Sequence, residues 1–142
     1  MKNLSFLVVL FAFFACKEDN TTANYVDFTM TLTGKNMAPA TASAARGTVV
    51  AKYYRATRVL TYTITYEGLT PNAWHIHKGA VGVTGAVVFN LGTSFTTPFT
   101  ATTAALTTDQ EKDLLAGNYY VDIHSALYAN GEIRGQLTPE SN

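Results

Sequence analysis

Two of the chain's three histidines lie one residue apart in Trp74-His75-Ile76-His77-Lys78-Gly79-Ala80, and imidazoles at that spacing suit metal binding or proton handling. In an extended strand residues i and i+2 leave the same face, so His75 and His77 point one way while Trp74 and Ile76 point the other. The third histidine repeats the arrangement in Tyr119-Tyr120-Val121-Asp122-Ile123-His124, with Asp122 and His124 on one face and Val121 and Ile123 on the opposite one. If the two strands are neighbours, every imidazole of the chain gathers around one carboxylate.

Two chemistries fit that gathering. One is a metal site in which His75, His77, His124 and Asp122 hold a Zn or Cu ion for binding, delivery or redox work. The other is a set of satisfied polar groups, in which the imidazoles donate to backbone carbonyls or to Asp122 and pin the strand register. A histidine pair without a firm fourth ligand favours the second. Three histidines are too few for a dinuclear centre with a bridging imidazole and full ligand sets. Glu132 and Arg134 share a face two residues apart and are candidates to join the polar cluster, although an Arg paired with acids on a sheet surface is ordinary. Trp74 and the tyrosines offer either a platform for a carbohydrate or peptide or, more commonly, core packing. There is no nucleophile elbow, phosphate loop or close Cys-His pair, so an enzyme would have no visible catalytic residues beyond the histidines.

The elements that must position these residues read as short strands. Val26, Phe28, Met30 and Leu32 alternate with mostly polar residues over 25–33, the period of a half-buried strand. Residues 47–54 and 59–66 read as a second and third strand, the latter with Leu60, Tyr62, Ile64 and Tyr66 inward. Residues 37–45, small and holding Pro39, read as an irregular segment. The stretch 79–85 is glycine-punctuated and expected to be flexible. Residues 86–91 are nearly all apolar, so a strand buried on both faces is expected there. One more short strand at most fits 92–105. Thr108 with Glu111 makes a capping box and Gly117 a C-terminal stop, which predicts one short helix between them. Asn130-Gly131 is a hairpin turn signal before a last strand over 132–137. Seven or eight short strands and one helix predict an all-β fold, an antiparallel β-sandwich.

At 142 residues the chain has room for one domain with a full core. Only 14% of residues are charged against 47% hydrophobic, which excludes a disordered chain. The formal net charge of +0 leaves no basic patch for nucleic acid. Met1-Lys2-Asn3 precedes an apolar run over 4–15 broken only by Ser5, the anatomy of a secretory signal and too short to span a bilayer core of about 30 Å. Cys16 is the only cysteine, so no intramolecular disulfide is available. The stretch Phe13-Phe14-Ala15-Cys16 resembles a bacterial lipoprotein signal, with Ala15 small before the cysteine. Phe13 and Phe14 depart from the aliphatic and small residues usual there. The resemblance implies that 1–15 are removed and that Cys16 carries a diacylglycerol and an acyl chain. At about 0.8 kcal/mol per buried methylene, several chains make a stable membrane anchor. Residues 17–24 then read as a polar tether, and Lys17-Glu18-Asp19 is similar to the export signal of lipoproteins displayed on some Gram-negative outer surfaces. The implied setting is the outer membrane or cell surface, otherwise the periplasm or medium.

The motifs together resemble a known module. Leu32-Thr33-Gly34, Pro39, Gly47, Leu60-Thr61-Tyr62, Gly68-Leu69, the Trp74–Ala80 block, Val87-Val88-Phe89, the 117–124 block and Gly131-Glu132-Ile133-Arg134-Gly135-Gln136-Leu137 are similar to a CHRD domain. That module occurs in chordin and in many exported bacterial proteins, and the likeness covers about 25–137, with 139–142 left as a tail. The resemblance implies an immunoglobulin-like β-fold, an extracytoplasmic setting and no catalytic function. It points to a binding or structural module with an extracellular protein or matrix as partner. The family commonly carries Asn at the position of Asp122.

Overall fold

A computed structural model describes residues 24–141; Cys16 and the preceding signal lie outside them. Eight strands form in chain order: β1 (Tyr25–Thr33), β2 (Arg46–Tyr54), β3 (Val59–Glu67), β4 (Pro71–Lys78), β5 (Val87–Asn90), β6 (Phe99–Thr102), β7 (Tyr119–Ser125) and β8 (Ile133–Leu137). Among the described residues one α-helix, α1 (Thr108–Leu115), joins β6 to β7, and a single 3-10 turn, Gly34–Asn36, follows β1. All pairings are antiparallel, in one sheet of order β5-β4-β7-β8-β1-β2-β3-β6.

The all-β, antiparallel expectation is met, but the two separate sheets of a sandwich are not: a single sheet curls into a half-barrel. Its two wings join at β1 and β8, where the ladder has one residue pair, Thr33 with Arg134. Curling shows in the core. Trp74 on β4 lies 4.8 Å from Phe99 on β6 and 5.2 Å from Phe95, ring centre to ring centre, although β4 and β6 sit near opposite ends of the sheet. Period-two alternation identifies a strand with one greasy face and is silent on whether the surface opposite belongs to the same sheet.

The inward positions are those the alternation marks. Val26, Phe28, Met30 and Leu32 of β1, Val49, Ala51 and Tyr53 of β2, and Leu60, Tyr62 and Ile64 of β3 are all buried. At about 1.5–3 kcal/mol per large apolar side chain, this face supplies the drive to close the sheet. Residues 86–91 depart from expectation. Only 87–90 are strand, and β5 is an edge with Val87 51% exposed, because a short apolar run does not distinguish a central strand from an edge. The helix cap moves by one residue. Thr107 is the N-cap, accepting from the Gln110 backbone while Gln110 reaches back to the Thr107 amide, so Thr107 and Gln110 replace Thr108 and Glu111 in the box. Gly117, at φ 72°, ends the helix as expected.

Candidate metal centre

Strand β4 pairs with β7 so that His75 faces Asp122, Ala73 faces His124 and His77 faces Tyr120. Trp74 and Ile76, with Val121 and Ile123, fill the core, and the polar residues leave by the other face. Trp74 is fully buried, which places it in the core and not on a ligand platform. All three histidines therefore meet at one carboxylate, as the strand periodicity predicts. One ligand atom from each of His75, His77, Asp122 and His124 lies within 4.8 Å of every other.

The gathering has a definite geometry. His75 Nδ1 is 3.1 Å from His124 Nε2. Asp122 Oδ1 is 3.2 Å from His77 Nε2, 3.2 Å from His124 Nε2 and 3.8 Å from His75 Nδ1. The far sides of two rings are fixed by backbone. His77 Nδ1 lies 2.9 Å from the Gly85 carbonyl, and His124 Nδ1 lies 2.9 Å from the Ala129 carbonyl. A carbonyl oxygen only accepts, so each Nδ1 carries hydrogen and each Nε2 is left facing the centre. His77 Nε2 is buried and, among the described residues, has no hydrogen-bond partner, its approach to Asp122 being close but misaligned.

Both carbonyls come from loops that bracket the site. The loop between β4 and β5 is held by side chains on the same outer face. Arg134 donates to the carbonyls of Ala80 (2.8 Å) and Val83 (2.9 Å), Gln136 donates to that of Gly79 (2.8 Å), and the Gly85 amide donates to the Tyr120 hydroxyl (3.2 Å). Instead of a loose glycine segment, this is a strapped one. Gly85 is required there, since a Cβ would strike the Lys78 carbonyl. The loop between β7 and β8 turns at Gly131, φ 108°, whose missing side chain leaves room beside Asp122 Oδ2. Tyr120, on the middle strand, is stacked by His77 from β4 (centroids 4.8 Å, 4° between planes) and by the Arg134 guanidinium from β8 (3.4 Å).

The whole arrangement lies inside the region matched by the family model described as CHRD domain, residues 28–137. This chain belongs to the CHRD family. No curated protein and no solved structure matches it. Of the motifs that suggested the resemblance, the Trp74–Ala80, 117–124 and 131–137 blocks supply the strands that build the site.

Electrostatics in this CHRD domain follow from burial around one carboxylate. Burial works to raise Asp122, but the hydrogen bond to His124 and the close approach of the His77 imidazole overcome it and its pKa lies below the ordinary value. Burial works to lower His77, yet Asp122 and the Gly85 carbonyl raise it on balance. Asp122 raises His124 against the pull of burial. His75 is lowered, first by burial and then by repulsion from His124. The centre therefore calls for positive charge: protons on Nε2 or a cation between the ligands.

The donor set suits a cation of borderline hardness. Tetrahedral bonds of 2.0–2.1 Å put ligand atoms about 3.3 Å apart, close to the 3.1–3.8 Å contacts around Asp122 Oδ1 and His124 Nε2, while the His77 pairs with the other two imidazoles are bounded only at 4.8 Å and would have to draw in around an ion. Three imidazoles and one carboxylate without thiolate fit Zn or Cu(II). Of the two residues expected to extend the cluster, Arg134 does so through Tyr120, and Glu132 turns away. The Glu132 carboxylate accepts from Ser43 (2.6 Å) and its carbonyl from Thr41 (2.8 Å). Sequence reasoning missed Tyr120, which sits two residues before Asp122 and so shares its face, and the Gly85 and Ala129 carbonyls, which no side-chain pattern marks.

Proposed function

We propose that this protein is an extracytoplasmic, non-catalytic CHRD module that binds one zinc or copper(II) ion through His75, His77, His124 and Asp122, and that lipids on Cys16 tether it to a membrane. The observation that carries the metal reading is the pair of Nε2 atoms, on His77 and His124, whose rings are fixed by the Gly85 and Ala129 carbonyls while a buried carboxylate and a third imidazole face them. Fully paired structural histidines would have no need to leave the His77 Nε2 atom without a hydrogen bond. A ligand imidazole whose other nitrogen donates to a carbonyl is the usual support of a metal site. Bound there, an ion would supply the charge the centre lacks and tie β4 to β7. Lipid anchoring rests on the N-terminal signal anatomy and the single cysteine.

Elemental analysis of the exported chain, extracted in detergent, stripped with a chelator and reloaded, should give one ion per chain. Variants His77→Ala, His124→Ala and Asp122→Ala should each lose it while staying folded by circular dichroism. A wild-type protein that takes up no stoichiometric zinc or copper refutes the metal reading. Cys16→Ser should move the protein from the membrane fraction to the soluble one; retention in the membrane refutes the anchor.

A further inference from the structure

We propose that the position held by His75 is the exchangeable one of the centre, and that a small anion enters the coordination shell there; this rests on the metal reading above. The four ligands are unequally supported. His77 and His124 are fixed by backbone carbonyls and Asp122 is only 3% exposed, whereas the second nitrogen of His75 has no hydrogen-bond partner among the described residues. His75 is also the most open of the four, at 17% side-chain exposure against 11% for His77 and 12% for His124. Its strand neighbour on the open side is Asn90, the last residue of the short edge strand β5, after which the chain leaves the sheet. The incoming ligand should be negative. A divalent ion with one carboxylate and neutral imidazoles leaves a net single positive charge, and Arg134, paired in register with Asp122, adds to it. It should be small, because most of the His75 side chain is covered. The exchange is a ligand substitution: the anion's lone pair replaces that of His75 Nδ1, and the ring turns out to water unprotonated.

The test uses azide as the anion and the copper(II)-loaded full chain in detergent, read by its charge-transfer absorption. Wild type should show saturable azide binding. His75→Ala and His75→Gln should lose clearly less copper affinity than His77→Ala, which should lose about a hundredfold or more, and should bind azide about tenfold more tightly than wild type. Copper loss in both His75 variants as complete as in His77→Ala, or an absorption spectrum that azide leaves unchanged, overturns this inference and leaves the metal site standing. A wild-type chain that takes no copper or zinc overturns both.

Discussion

Zinc added to the stripped protein should raise its melting temperature by an amount that grows with pH, over a metal-free baseline that moves the other way. In the metal-free protein His77 and His124 have raised pKa values. Each contributes stability that is fully present below the ordinary imidazole value of about 6.5 and is lost as pH rises through the folded value. His75, lowered, runs in the opposite sense, so two histidines act against one. Asp122, lowered, contributes stability that is present above about 3.9 and is lost as pH falls through its folded value. The metal-free domain should therefore be most stable between those two ordinary values and weaken toward about pH 8. Zinc needs the same nitrogens free of protons, so its affinity rises over that range. At free zinc a hundredfold above Kd the gain is about 2.7 kcal/mol, which at about 4 °C per kcal/mol for a domain of this size is roughly 10 °C. Asp122→Asn supplies the control. Structural zinc sites bind with about 10–16 kcal/mol, so one ligand in four carries about 3 kcal/mol, or two decades in Kd. At the same zinc concentration the variant gains about 0.4 kcal/mol or less. Differential scanning calorimetry at about pH 5 and about pH 8 reads both effects. A zinc shift as large at the acidic pH as at the alkaline one, or one that survives Asp122→Asn, would refute the reasoning.

Other perturbations test the supports of the site. Trp74 is fully buried against Phe95, Phe99 and Tyr66, so Trp74→Ala should destabilise by about 3–5 kcal/mol, read as a lowered urea midpoint; an unchanged midpoint would contradict a sheet closed around this ring. At Gly131 a Cβ would sit 2.5 Å from Met37 Cε and 3.2 Å from Asp122 Oδ2, with φ at 108°. Gly131→Ala should therefore destabilise by about 1–3 kcal/mol in the same assay. Arg134→Gln should weaken zinc binding about tenfold, measured calorimetrically, and speed solvent exchange of the His77 Nδ1 proton in NMR spectra, since it releases the loop that carries the Gly85 carbonyl.

The strands and the faces of the histidines were legible because period two is a local property: once β4 and β7 are strands, the sides on which Trp74, His75, Asp122 and His124 emerge are settled. Closure was not legible. Whether two groups of strands form one sheet or two turns on the single pair Thr33 and Arg134, about a hundred residues apart in the chain, and no alternation encodes it. The cap shifted because Thr107 and Thr108 precede Gln110 and Glu111, and either pair satisfies the box.

The 79–85 loop shows most clearly why the site exceeds its motif. Glycines there read as freedom of movement, but what they report is a backbone able to go where a side chain would not fit, as Gly85 does against the Lys78 carbonyl. The groups that hold this loop, Tyr120, Arg134 and Gln136, lie 35 to 57 residues further along the chain. Each shares the outer face with Asp122 and His124, so the register that gathers the histidines also delivers the straps of the loop that fixes His77. A one-residue slip between β7 and β8 would turn Arg134 and Gln136 into the core and free that loop. The ligand set and its support therefore stand or fall together, and a variant that loses the loop contacts should lose the imidazole orientation before it loses the fold.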